Sequence, residues 1–123
     1  MNFNESPEFQ KDVKALGKKV RTLQLDIERV RARIEPLYIP VKDVDIQTYR
    51  SLFFSGSVAT ILHKTDTHEI IKMRLDTDTR TMQSKLRLVF VAVVSSETVT
   101  FIELYAKNDK NREDQRRLQQ YLG

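Results

Sequence analysis

Cysteine is absent from this chain of 123 residues, and glycine, proline and histidine are scarce, with three, three and two copies. Without cysteine there can be no disulfide, no thiolate metal site and no cysteine nucleophile. The three glycines, Gly17, Gly56 and Gly123, stand too far apart to build a phosphate-cradling loop. The two histidines, His63 and His68, are five residues apart, a spacing that argues against a histidine metal centre, so neither metal nor cofactor is expected. No apolar run reaches membrane-spanning length, and Met1-Asn2-Phe3-Asn4-Glu5 carries no signal-peptide pattern. The cytoplasm is the default location, with no membrane partner.

What is present describes an ordinary soluble chain, 40% apolar and 31% charged. Its length supports one hydrophobic core, and hence a single domain over 1–123. The net charge of +4 favours an acidic partner such as nucleic acid or an acidic protein. By segment the excess is mild: residues 1–34 carry 8 basic against 5 acidic side chains, and 69–107 carry 6 against 5. Only folding could gather it into a patch.

The most informative stretch is Leu86 to Asp109. Two runs rich in β-branched and aromatic residues are separated by Ser95-Ser96-Glu97, which predicts a β-hairpin. A three-residue turn would set Val94 against Thr98, Phe90 against Ile102, Leu88 against Leu104 and Arg87 against Tyr105. The core face would then hold Leu86, Leu88, Phe90, Ala92 and Val94 with Thr100, Ile102, Leu104 and Ala106. The other face would hold Val89, Val91, Val93, Val99 and Phe101 near the turn, with Arg87, Glu103 and Tyr105 at the open end. One residue more in the turn would break the Arg87–Tyr105 pairing.

At the N-terminus Ser6 can cap a helix, with Pro7 at its first position and Glu8 complementing the dipole. Phe9, Val13, Leu16, Val20, Leu23, Ile27, Val30 and Ile34 then step by four and three, a helical stripe. Gly17 interrupts it and Thr22 can start it again, so helices over 7–17 and 22–34 would form a hairpin. A single long helix, dimerising through the stripe, is the alternative. The basic face at Lys11, Lys14, Lys18, Lys19, Arg21, Arg29, Arg31 and Arg33 is in most proteins a solvated one. Pro36 and Pro40 end the second helix, and 35–68 reads as irregular with one or two short strands. Phe53 and Phe54 are expected under the sheet. Glu69 to Leu75 alternates as a half-buried strand showing Lys72 and Arg74, and 76–85 reads as a polar loop. From Asn111 to Leu122 a charged helix has Leu118, Tyr121 and Leu122 to anchor it, so weak docking is expected.

Lys72-Met73-Arg74, a polar run, Arg87-Leu88-Val89-Phe90, and a second strand closing in Tyr105-Ala106-Lys107 before a charged helix form an ordered set. With Ser6-Pro7-Glu8-Phe9 and Leu16-Gly17-Lys18-Lys19, it resembles the RelE/ParE superfamily of toxins from toxin–antitoxin modules. The match covers 1–34 loosely and 69–122 well, leaving 35–68 unmatched. The resemblance implies an α+β fold, with a helical hairpin packed on a small antiparallel sheet of three to five strands and a C-terminal helix. It also implies a metal-independent endoribonuclease that cuts mRNA, free or on the ribosome, and is neutralised by a cognate antitoxin.

Cleavage of RNA by its own 2′-hydroxyl needs a proton acceptor, a proton donor to the leaving oxygen and cations around the phosphorane. Carried over from the resemblance, Lys72 becomes the base, Arg74 and Arg87 the phosphate clamps, and Tyr105 a stacking or acid group. Lys85 and Lys107 become flanking RNA-binding cations. The chain departs from the family at Thr81-Met82-Gln83-Ser84-Lys85, where glycines are common, and has no histidine after His68. Other members of that superfamily poison gyrase without cutting RNA, so a non-catalytic inhibitor stands as the second reading and a protein-interaction module as the third. In the bland reading, Lys72, Arg74 and Arg87 solubilise an exposed face, with Glu103 paired to one of them.

Overall fold

The computed structural model describes residues 1–122 apart from Ser57 and Ser84. Two expectations from the sequence therefore fall partly outside the described residues: the region 35–68 at Ser57 and the polar loop 76–85 at Ser84.

Five strands form one sheet: β1 (Asn2–Glu5), β2 (Ala59–Lys64), β3 (His68–Leu75), β4 (Leu86–Val93) and β5 (Thr98–Ala106). Their spatial order is β1-β5-β4-β3-β2, antiparallel throughout except where β1 runs parallel to β5. The helices are α1 (Pro7–Leu16), α2 (Leu23–Ile34), α3 (Ile46–Phe53) and the short α4 (Gln115–Gln119). The fold is thus α+β.

Ser6 caps α1 as its chemistry suggests, its Oγ accepting from the Phe9 N–H at 3.1 Å, with Pro7 next. The stripe is buried where it begins and through its second half: Phe9, Val20, Leu23, Ile27, Val30 and Ile34 are all at most 2% exposed. It packs on the face of the sheet that carries Ile71, Met73, Leu75, Leu88, Phe90 and Phe101. The hairpin expectation does not carry over unchanged. α1 is short and lies against β5, whereas α2 lies against β3 and the 3-10 turn Glu35–Leu37. Thr22 stands at the start of α2 without a capping bond; its hydroxyl instead meets Asp26 at 2.8 Å and Thr77 and Thr79 at 3.1 Å. Thr77 and Thr79 are buried in that network, so 77–79 is tied down where a polar loop was expected.

The β4–β5 hairpin differs from the expected one twice, and the two differences cancel. The turn holds four residues, Val94 to Glu97, so Val93 rather than Val94 faces Thr98. Glu97 adopts φ 52°, the left-handed region rarely taken by a side-chain-bearing residue, to close it. A β-bulge at Ile102 then absorbs one residue and restores register. Phe90 pairs with Phe101, not Ile102, while Leu88–Leu104 and Arg87–Tyr105 pair as expected. Val99 and Phe101 consequently face the helices, and Ile102 turns to the second face. Phe101 there meets Phe9 and Phe3, with ring centroids 5.3 and 6.0 Å away.

Residues 35–68 are more regular than expected, holding α3 and β2. Phe53 is buried and Phe54 packs against the same core. The C-terminal helix is five residues long rather than the expected span of 111–122. It docks firmly: Leu118 is 4% exposed and joins Ile70, Val89, Val91 and Ile102 on the second face, with Tyr121 and Leu122 beside it. No helix among the described residues is long and apolar enough to cross a membrane.

Candidate functional site

Strand register puts the candidate residues Lys72, Arg74, Arg87 and Tyr105 on the second face, the one opposite α1 and α2. Arg74 pairs with Arg87, and Arg87 pairs with Tyr105, so the three side chains stand abreast across β3, β4 and β5. The next row toward the turns is Lys72, Val89 and Glu103. In the opposite direction the Lys107 N–H bonds the Lys85 carbonyl at 2.6 Å, placing these two exposed lysines side by side beyond the row. All six candidate residues thus occupy one end of the three central strands.

Arg74 and Arg87 are directly opposite each other, so two like charges share one place on the sheet. One Nη1 of Arg87 donates to the Leu86 carbonyl at 3.0 Å, which orients the guanidinium along its own strand. The fork geometry of two such groups suits the oxygens of a phosphate.

The segment after β5 folds back over the rest of the face. Lys72 Nζ donates to Glu113 Oε2 at 3.0 Å, and Glu113 is 8% exposed. Burial pushes the Glu113 carboxyl up, but a backbone hydrogen bond and Lys72 outweigh it and hold the group below its ordinary value. Glu103, fully buried, accepts from Lys110 Nζ and from the Asp114 N–H. Its expected partner on the strands is therefore replaced by a lysine of the tail. Lys110 Nζ also sits 5.1 Å from the centre of the Tyr105 ring. Tyr105 is 6% exposed, so its ring is covered on this side and is not open for a base to stack upon.

Burial, followed by the nearby Glu113 and Glu103 carboxylates, raises the Tyr105 phenol to about 12. A phenol held there stays protonated at neutral pH and can donate a hydrogen bond. Because the folded value lies above the ordinary 10.0, the folded state holds the proton more tightly. The stability gained is present below about pH 10 and is lost as pH rises through about 12. Tyrosinate absorbance should contain a late component near pH 12 that Tyr105→Phe removes. An alkaline titration unchanged by that substitution would contradict the burial described.

Among the described residues no three His, Cys, Asp or Glu side chains gather as a metal-binding group. The tail residues Lys110 and Glu113 were not legible as site neighbours, because partners 7 and 41 residues away meet only through the fold-back.

Neither a family model nor a curated protein matches this chain. One solved structure does. It is the crystal structure of the archaeal RelE-RelB complex from Pyrococcus horikoshii OT3, similar with a TM-score of 0.44 and 10% sequence identity. The match covers 89% of this chain and 97% of that one. Likeness at that level fixes neither activity nor partner.

Proposed function

We propose that the chain is a RelE-like toxin, a metal-independent endoribonuclease that cuts mRNA, free or on the ribosome, and is held in check by a cognate antitoxin. The observation that carries this reading is the Arg74–Arg87–Tyr105 row. Two guanidinium groups and a protonated phenol meet on one sheet face, as charge stabilisation around a phosphorane requires. In this reading Arg74 and Arg87 hold the phosphate and Tyr105 donates to an oxygen, with Lys85 and Lys107 along the bound strand. Lys72, engaged by Glu113, serves as base only once that pair opens.

The same pair favours the second reading, a non-catalytic inhibitor of gyrase type, because a lysine held by a carboxylate is a poor proton acceptor. Induction of the chain in cells without an antitoxin, followed by mapping of RNA ends, separates the two. New ends within coding regions, also produced by the purified chain with ribosomes in the presence of a chelator that leaves the ribosomes intact, are expected. Growth arrest with intact RNA would select the inhibitor, and no growth effect would leave an interaction module.

A further inference from the structure

The charge of this protein is not dispersed. Residues 11–21 contain Lys11, Lys14, Lys18, Lys19 and Arg21 against Asp12 alone. That is five of the 21 cations and one of the 17 acids, which leaves sixteen of each elsewhere, so the whole net charge of +4 resides in this run. All five cations are exposed, and none forms an ion pair among the described residues. The contrast with the neighbouring helix is direct: Arg29, Arg31 and Arg33 of α2 are each paired, to Asp78, Glu5 and Asp76. Asp12 gives the run no relief, since both its oxygens are taken by Arg117.

One end of this run reaches the edge of β5, on the opposite side of the strand from the second face. Lys11 and Lys14 lie on α1, and Lys18, Lys19 and Arg21 in the turn that follows. Lys19 lines a groove of about 260 Å³ together with Asp12, Tyr105, Asp109 and Lys110, so the turn borders the strand end that carries the tyrosine through a groove of mixed charge.

We propose that residues 11–21 form a docking surface for the sugar–phosphate backbone of RNA, gripped without regard to sequence. Four of the five cations are lysines, point charges that bind phosphate without the bidentate geometry arginine imposes. No aromatic side chain lies within the run to stack on a base, so affinity would come from counterion release. The surface needs phosphates, not a scissile bond, and it stands whether or not the arginine row cuts RNA.

The test uses the full chain and a short 2′-O-methyl RNA, which lacks the attacking hydroxyl and cannot be cleaved by that route. Binding is measured across a range of KCl concentrations. Each neutralised phosphate contributes about −0.7 to the slope of log K against log salt for single strands, so five contacts give about −3.5. The double substitution Lys14→Glu with Lys18→Glu should shrink that slope by about 1.4 and weaken low-salt binding on the order of tenfold or more. Lys42→Glu reverses an exposed lysine before α3, at the end of the molecule where Ile46, Thr65 and Val94 line one groove, and should leave the slope unchanged. Circular dichroism should report one melting curve for all three proteins. An unchanged slope in the double variant, an equal loss in Lys42→Glu, or capture by anionic vesicles without RNA binding would overturn the proposal. Cleavage of unmodified RNA is read separately: its absence with binding intact removes the nuclease reading and leaves this surface in place.

Discussion

Under the proposed toxin function, Arg87→Ala should abolish toxicity while leaving the fold standing. Arg87 lies on β4 between Leu86 and Leu88, both fully buried toward the helices, while its own side chain projects to the second face. Truncation removes no core contact. It also removes one of two like charges set directly opposite each other, against the loss of polar contacts such as the bond to the Leu86 carbonyl. The stability change should stay within roughly 0.5 kcal/mol. If the guanidinium clamps the phosphorane, the transition state loses on the order of 3–4 kcal/mol, a rate lower by roughly a hundred- to a thousand-fold. Induction at matched protein levels, with melting curves of both proteins, measures the two quantities independently. A variant that folds normally and still arrests growth would remove Arg87 from the site. One that melts far below wild type would instead assign it to structural pairing.

The helix stripe and the two central strands were legible because each follows a single period, and the period alone decides which side chains are buried. Arg87 facing Tyr105 was also legible, though for an incomplete reason. A longer turn moved every residue between Thr98 and Phe101 by one, and the bulge at Ile102 moved the remainder back. Neither feature leaves a mark in composition: Glu97 is not a glycine, and Ile102 is as apolar as its neighbours. β1 was missed because Asn2-Phe3-Asn4-Glu5 is short and polar, and a strand that pairs in parallel with β5, nearly a hundred residues away, has no local turn to announce it. α3 was missed because Val41 to Tyr49 mixes apolar residues at spacings that fit strand and helix alike. At the site, the strand residues could be placed by parity. The tail could not, since Lys110 and Glu113 reach Glu103 and Lys72 only after the chain reverses over the sheet.

That reversal is held at one point above others, which yields the largest expected effect on stability. β1 ends at Glu5, so the outer edge of β5 is left without a strand partner from Ile102 onward. An open edge with unpaired backbone groups invites association with other chains. Here side chains close it, with the Ser6 Oγ donating to the Ile102 carbonyl at 3.4 Å and two others beyond it. Asp12 Oδ2 accepts from the Leu104 N–H at 3.0 Å, and Arg117 Nη1 donates to the Ile102 carbonyl at 3.1 Å. The two residues also form a fork-to-fork pair, with Nη1–Oδ2 at 2.6 Å and Nη2–Oδ1 at 3.1 Å. Hydrogen bonding to Asp12 raises the Arg117 guanidinium above its ordinary value despite burial. Asp12→Ala would leave a partly buried guanidinium short of its main partner and the Leu104 N–H without an acceptor. The expected cost is about 2–4 kcal/mol, a Tm lower by on the order of 10 °C. Asp12→Asn keeps an acceptor for the amide and should lose roughly half as much. Because both residues serve one edge, Asp12→Ala combined with Arg117→Ala should cost less than the two single changes added together. Additive losses in that cycle, or a single-variant cost below about 1 kcal/mol, would mean that α4 is held by its other contacts and that the edge of β5 does not depend on the pair.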